Sequence, residues 1–109
     1  MPIYEIREYQ TRNGKSPFGE WFDGLKDKRV KAKIMARLDR VSLGNFGDHK
    51  TLPRTGGVAE LREHAGPGYR IYYSIIEDEI VLLLVGSLKR DQSRAVDKAK
   101  EYLADYNTR

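Results

Sequence analysis

Residues 58–86 read VAELREHAGPGYRIYYSIIEDEIVLLLVG and contain three runs that predict β-strands. The runs are 58–64, 69–76 and 79–86. In the first two, apolar and polar side chains alternate, as is typical of strands, because successive side chains point to opposite faces of a sheet. Only Ala65-Gly66-Pro67-Gly68 and Glu77-Asp78 separate the runs, and connections this short join antiparallel neighbours. The segment therefore predicts a three-stranded antiparallel meander.

The rest of the chain predicts one more strand and three helices. Residues 3–9 alternate and indicate a strand, whereas 45–57 has the composition of a loop. Ser16-Pro17 is typical of a helix start, and apolar residues at helical spacing predict further helices over 27–43 and 92–106. The order β-α-α-β-β-β-α predicts an α+β fold in which the helices pack on one face of a mainly antiparallel sheet. The other face is then open to solvent.

Length and composition indicate a single domain spanning 1–109. The chain has 109 residues and no cysteine, which excludes a disulfide framework and a cysteine-based zinc site. With two histidines in the chain, we expect no metal and no cofactor. The longest apolar run, 80–85, is too short to span a bilayer, and no secretory signal precedes the first strand. We expect a cytoplasmic protein with no membrane partner.

Positive charge is concentrated in the first half of the chain. Lys and Arg total 20 against 16 Asp and Glu, which gives a net charge of +4. Residues 1–54 carry 12 basic and 7 acidic side chains, whereas residues 55–109 carry 8 and 9. A basic excess of this kind favours a polyanionic partner through counterion release. The alternative is a lysine-rich helix face that is simply solvated.

Strand alternation places a polar group on the open face of the predicted sheet. Matching the apolar faces across the first hairpin sets Arg62 opposite Tyr72 and His64 opposite Arg70. All four side chains then share one face, and a one-residue slip of the register would separate them. The hairpin therefore predicts two arginines, a histidine and a tyrosine on one exposed surface.

This group has the chemistry of a phosphodiester site. Two guanidinium groups can hold a phosphate and stabilise charge that builds on phosphorus. A neutral imidazole can transfer protons near neutral pH, and a tyrosine can stack on a base. The alternative is structural, with Arg62 in a surface ion pair with Glu60 or Glu63. Lys89 and Arg90 follow the last strand directly, where they either contact phosphate or lie at the start of the final helix.

Three motifs, in this order and at these spacings, resemble the RelE/ParE superfamily of toxins. They are Glu60-Leu61-Arg62, then Gly68-Tyr69-Arg70 with Tyr73, then Gly86 with Lys89 and Gln92. Within the superfamily, the sequence is most similar to the HigB-like branch of addiction module killer proteins. The resemblance extends over essentially the whole chain and implies a RelE-like fold.

The resemblance also implies an activity and its partners. The chain resembles the toxin of a type II toxin–antitoxin pair, and the best understood members of the family cut messenger RNA in the ribosomal A site without a metal. The 2′-hydroxyl attacks the adjacent phosphate and leaves a cyclic phosphate and a 5′-hydroxyl. The implied partners are the ribosome, messenger RNA and a cognate antitoxin, which in this branch is a helix-turn-helix protein.

The resemblance carries over to particular residues. Arg70 corresponds to a phosphate-stabilising arginine of RelE-type members, and Arg62 corresponds to the arginine of the preceding strand. Arg90, or Lys89 beside it, falls where RelE-type enzymes have another catalytic arginine, and His64 and Tyr72 are candidates for proton transfer. The lysines of RelE-type enzymes correspond here to Val58 and Glu60, and their last tyrosine corresponds to Val96, so His64, Tyr72, His49 or Lys50 has to supply the base and the acid. The predicted RNA-binding residues are Lys28, Lys31, Arg37, Arg40, Lys50, Arg54 and Lys89.

Two other functions are compatible with the sequence. The first is a ParE-like protein that inhibits DNA gyrase by binding and performs no hydrolysis, which the absence of the RelE-type lysines and tyrosine favours. The second is a catalytically inactive homologue that binds an antitoxin and whose exposed arginines are surface charge only.

Overall fold

The computed structural model describes residues 3–109, which form a mixed α+β fold of three helices and five strands. The strands are β1 (Glu5–Glu8), β2 (His49–Thr51), β3 (Ala59–Glu63), β4 (Tyr69–Ile76) and β5 (Ile80–Leu88). The helices are α1 (Pro17–Asp23), α2 (Lys28–Ser42) and α3 (Gln92–Asn107), and a single 3₁₀ turn, Lys89–Asp91, joins β5 to α3. Within the described range, no helix has both the length and the apolar character needed to cross a membrane.

Local side-chain chemistry explains where the first two helices begin. The Ser16 hydroxyl accepts a hydrogen bond from the Gly19 amide at 3.0 Å, and Pro17 occupies the first helical position. The Asp27 carboxylate accepts one from the Arg29 amide at 2.9 Å. Both bonds satisfy amides that would otherwise have no partner at a helix N-terminus. The predicted start of α1 is confirmed, and α2 and α3 lie within one residue of their predicted bounds.

The sheet has the strand order β1-β5-β4-β3-β2, in which only β1 runs parallel to its neighbour. The mainly antiparallel sheet and the meander are therefore confirmed. The turn between β4 and β5 is tight, because Glu77 and Asp78 both adopt left-handed backbone angles, with φ of 52° and 57°. The prediction that 45–57 is entirely loop is wrong, since β2 lies within it and pairs with β3.

The helices cover both faces of the sheet, so the prediction that they pack on one face is wrong. α1 and α2 supply Phe18, Ile34 and Leu38 to one apolar core, on the face of the sheet that carries Leu61 and Ile71. On the opposite face, α3 forms a second core. This second core contains Tyr72, Leu82 and Leu84 from the sheet and Ala95, Ala99 and Leu103 from α3. Both faces of β5 are therefore buried, which explains why its run of apolar residues is unbroken.

A β-bulge in β5 changes which side chains face α3. Tyr73 pairs with Leu83 whereas Tyr72 pairs with Val85, so Leu84 is one extra residue on β5. Both Leu84 and Val85 consequently contact the core beneath α3. An extra residue in one strand shifts the inward and outward alternation by one position beyond it.

Beyond the bulge, the end of β5 matches the polar end of β4. Ser87 pairs with Arg70 and therefore shares its face. Gly86 points to the opposite face, where a Cβ atom would lie 2.2 Å from the ring of Trp21 in α1. The bulge thus turns Ser87 towards the α3 face and leaves a glycine where the indole needs space.

The prediction that Arg37 lies on an exposed basic face is wrong, because Arg37 is a buried structural residue. Its side chain is 7% exposed, and it donates hydrogen bonds to three backbone carbonyls. Nε and Nη2 donate to the Phe46 carbonyl at 3.1 and 2.9 Å. Nη2 also donates to the Asp48 carbonyl at 2.6 Å, and Nη1 donates to the Arg62 carbonyl at 2.7 Å. The guanidinium therefore fixes the segment before β2 against the end of β3. Burial of this kind removes Arg37 from the predicted RNA-binding set.

We predict that Arg37→Gln lowers the free energy of unfolding by about 2–4 kcal/mol, because it leaves buried carbonyl groups without donors. The matched control is Arg40→Gln, which removes an exposed cation from the same helix and is expected to cost at most about 0.5 kcal/mol. Urea denaturation followed by circular dichroism measures both values. Equal stabilities of the two variants would show that the Arg37 contacts do not hold the segment.

Candidate functional site

The observed hairpin register places Arg62 opposite Arg70 and Glu60 opposite Tyr72. The predicted pairs are therefore wrong by two residues. A shift of two keeps every side chain on its predicted face, so Arg62, Arg70 and Tyr72 still share the face that carries α3. In the observed register β3 ends at Glu63 and residues 64–68 form the connection to β4, so His64 lies outside the sheet and its predicted pairing with Arg70 is wrong.

Glu60 is the centre of a polar cluster on this face. Its side chain is fully buried, and Oε2 accepts a hydrogen bond from Arg62 Nε at 2.7 Å. The same oxygen lies 3.8 Å from Arg70 Nε, and Oε1 accepts a hydrogen bond from Gln92 Nε2 at 3.3 Å. One carboxylate thus joins β3, β4 and the first turn of α3. Arg62 thus pairs with Glu60, one of its two expected partners, although the Glu60 carboxylate is buried and not at the surface.

Arg70 and Tyr72 lie beneath α3 and are not exposed, contrary to the prediction of a solvent-open face. Arg70 is 5% exposed and Tyr72 is fully buried. Within residues 3–109, the Arg70 Nε and Tyr72 hydroxyl groups are buried without a hydrogen-bond partner. Burial raises the pKa of Tyr72, so its phenol stays protonated near neutral pH. The prediction fails because the apolar stripe of α3 covers this face.

Arg62 connects the buried cluster to an exposed histidine. Its side chain is 31% exposed, and Nη1 lies 3.9 Å from Asp48 Oδ1. The other oxygen of Asp48 is hydrogen-bonded to His64 Nε2 at 2.5 Å. This bond lowers the pKa of Asp48, with smaller contributions from the charges of His64 and Arg62. No pattern in the sequence pointed to Asp48, because it lies 16 residues from His64 in a segment predicted as loop.

Lys50 is also on the face of Glu60. It pairs with Glu60 across the β2–β3 ladder and is exposed, whereas His49 pairs with Leu61 and faces the other side of the sheet. Directly opposite residues in a ladder share a face. The structure therefore brings Lys50, Arg62 and the His64–Asp48 pair to one side of the sheet, next to its β2 edge.

The other predicted residues are more scattered. Lys31 lies over the Phe22 ring at 5.4 Å and donates to the Asp23 carbonyl, and it belongs to α2, which covers the opposite face of the sheet. Lys89 follows β5, and its amide donates to the Gly68 carbonyl at 3.0 Å. The exposed members of the predicted set are Lys28, Arg40, Lys50, Arg54, His64, Lys89 and Arg90.

Within the described residues, no group of three or more His, Cys, Asp or Glu side chains is placed to hold a metal ion. The acidic residues nearest Arg62 each have a basic partner instead. Glu60 binds Arg62, and Asp48 contacts Arg62 and His64. The chemistry available at this surface is therefore that of cations and a proton-transfer group.

We predict that Glu60→Leu destabilises the fold by about 3–5 kcal/mol, because it leaves the Arg70 charge buried without a counter-charge. In an Arg70→Met background, the same substitution is expected to cost less, and the difference gives the coupling energy of the pair. Denaturant unfolding of the four proteins supplies the measurement. Glu101→Leu, at an exposed site on α3, serves as the control. Additive costs would mean that Glu60 does not balance Arg70.

A second prediction concerns the Asp48–His64 pair. Because the folded-state pKa of Asp48 is lowered, the pair stabilises the fold above the ordinary carboxyl pKa, and this contribution is lost as the pH falls through the lowered value. We expect His64→Gln to raise the pKa of Asp48 towards its ordinary value, as followed by carboxyl ¹³C NMR. His49→Gln, the matched control, is expected to leave it unchanged. An unaltered Asp48 titration in His64→Gln would contradict the assignment.

Two comparisons with known proteins show which proteins the chain is similar to. A family model described as "Phage derived protein Gp49-like (DUF891)" matches residues 20–107, which include α2, the strands from β2 to β5 and all of α3. A protein of Haemophilus influenzae, named only as uncharacterized, is 42% identical over 83 residues, which cover 76% of this chain and 82% of that protein.

Proposed function

The chain belongs to the phage-derived Gp49-like family, and from that premise we propose that it is the toxin of a toxin–antitoxin pair. We propose further that it has a RelE-like fold and acts in the cytoplasm as a ribosome-dependent, metal-independent messenger RNA endoribonuclease. Its partners are the ribosome, messenger RNA and a helix-turn-helix antitoxin. The observation that carries the nuclease proposal is the half-exposed Arg62 beside the His64–Asp48 pair.

Arg62 binds the scissile phosphate in this proposal. Its Nε atom is held by Glu60, so the guanidinium has a fixed orientation and its Nη atoms lie towards Asp48 and the exposed side. A fixed guanidinium stabilises negative charge on a phosphate at no cost of reorganisation during the reaction. Arg70 is a positioning residue, because it is buried and acts through the shared contact with Glu60.

His64 and Lys50 supply the proton transfers. Asp48 engages His64 Nε2, which leaves Nδ1 to take the proton of the 2′-hydroxyl as its oxygen attacks phosphorus. The bond from phosphorus to the 5′-oxygen breaks, and the exposed Lys50 ammonium donates a proton to that oxygen. The products are a cyclic phosphate and a 5′-hydroxyl. Lys50 takes this role because Tyr72 is buried and His49 faces the other side of the sheet.

One observation favours a second candidate function. The burial of Arg70 and Tyr72 removes two of the five predicted catalytic residues from contact with RNA. Arg90 is exposed in the 3₁₀ turn and makes no ion pair with any side chain of residues 3–109. A toxin that acts by binding, as a ParE-like gyrase inhibitor does, needs no such contact. An inactive homologue that only binds its antitoxin is the third possibility.

Expression without the antitoxin, followed by mapping of transcript 5′ ends, tests the proposal. We expect growth arrest with cleavage in phase with codons, and we expect Arg62→Ala and His64→Ala to lower the cleavage rate by about 100-fold or more. Lys100→Ala, which removes an exposed cation from α3, is the control and is expected to cleave at the parent rate. Retained binding to the antitoxin shows that each variant is folded.

The alternative functions give different outcomes in the same experiment. Intact transcripts together with DNA damage would replace the nuclease proposal with gyrase inhibition. Normal growth on expression would identify an inactive homologue. Codon-phased cleavage that persists in Arg62→Ala would remove Arg62 from the mechanism.

A further inference from the structure

A groove of about 890 Å³ lies along β1, on the opposite edge of the sheet from Arg62 and His64. α1 and α2 form its walls, and its floor is apolar. The floor includes Ile6, Phe18, Phe22, Leu38 and Leu83. Met35 of α2 also lines the groove, and half of its side chain is exposed there. The groove has the character of a binding surface for an apolar segment.

The charge around the groove is opposite to that of the whole chain. Four acidic residues line it, Glu5, Glu8, Asp23 and Asp39, against the single cation Arg7, although the net charge of the protein is +4. Glu5 binds Arg7, and Glu8 accepts a hydrogen bond from Ser16. The carboxylates of Asp23 and Asp39 make no ion pair with any residue between 3 and 109. Electrostatic complementarity therefore favours an occupant that carries basic side chains.

The main chain of β1 supplies a second recognition element. β1 is an edge strand that pairs only with β5 among the described strands. The Glu5 amide donates to the Glu79 carbonyl just before β5, and the Tyr9 amide donates to the Leu83 carbonyl of β5. The alternation of the strand therefore directs the amides of Ile6 and Glu8 outwards. An extended chain can add to such an edge as a further strand and gain main-chain hydrogen bonds.

We propose that the antitoxin docks a short extended segment on the outer edge of β1, with apolar side chains in the groove and basic side chains against Asp23 and Asp39. This inference rests on the proposed function, because that function supplies the partner. β1 is four residues long, so the contact involves a segment of similar length. The large groove at the other edge of the sheet has only one charged residue, Glu77, and offers no comparable selectivity. The docking segment lies away from Arg62, so the antitoxin can remain bound without occupying the nuclease surface.

Amide hydrogen exchange on the complex with the product of the adjacent antitoxin gene tests strand addition directly. In the free protein, the amides of Ile6 and Glu8 are expected to exchange at least tenfold faster than those of Glu5 and Tyr9. In the complex, the Ile6 and Glu8 amides are expected to be protected. Unprotected amides at both positions in a formed complex would overturn the proposal. Protection that grows with protein concentration in the absence of antitoxin would also overturn it, because a second copy would then occupy the edge.

Charge reversal tests the basic character of the segment. We expect Asp23→Lys combined with Asp39→Lys to weaken antitoxin binding by about 100-fold in calorimetry at low salt. Asp97→Lys combined with Glu101→Lys reverses two exposed charges on α3 and is the matched control, with affinity expected to be unchanged. Equal affinity of both double variants would overturn the docking site.

The same experiments separate failure of the inference from failure of the proposed function. If the antitoxin binds and neutralises the Asp23→Lys, Asp39→Lys variant as well as it does the parent, the groove is not the docking site. The toxin assignment is then unaffected. A parent protein that neither arrests growth nor binds the product of the adjacent gene removes the toxin assignment, and the proposed docking then fails with it.

Discussion

The buried carboxylate of Glu60 is the contact on which the arrangement of the polar surface depends. A charge without solvent must be balanced and hydrogen-bonded, and Glu60 meets this need with groups from three elements: Arg62 of its own strand, Arg70 of β4 and Gln92 of α3. The Glu60 carboxylate thereby joins both strands of the hairpin to the first turn of α3. The Arg62 guanidinium is thereby held in one orientation while part of it stays exposed, whereas an unpaired surface arginine has no fixed orientation.

The elements with strong periodicity were predictable from the sequence. β4, α2 and α3 have bounds within about one residue of those expected, since each buries a regular apolar face. β2 was not predictable, because its three exposed residues, His-Lys-Thr, have no apolar alternation and form a strand only by pairing with β3. The continuous apolar run of β5 indicated burial on both faces, but a pattern within one strand does not identify the helix that covers each face.

The sequence predicted which face of the sheet carries the candidate site, but it did not predict how deeply the residues of the site are buried. Alternation assigned Arg62, Arg70 and Tyr72 to one side correctly, because parity survives a register shift of two. The burial of Arg70 depends on Glu60 and on α3, and the burial of Arg37 depends on carbonyl groups 9 to 25 residues away. The spacing of residues within one element carries no information about partners that lie so far away in the sequence. The same holds for Asp48, whose contact with His64 arises only when β2 pairs with β3.

The bulge at Leu84 determines which side chains the end of β5 presents to each helix layer. Regular pairing of the same residues without the bulge would exchange the facing of Gly86 and Ser87 and place a side chain against the indole of Trp21. A residue gained or lost at a loop tip such as 64–68 inverts no strand. A chain that lacked Leu84 would alternate regularly along β5 and would still present its glycine to the indole of Trp21.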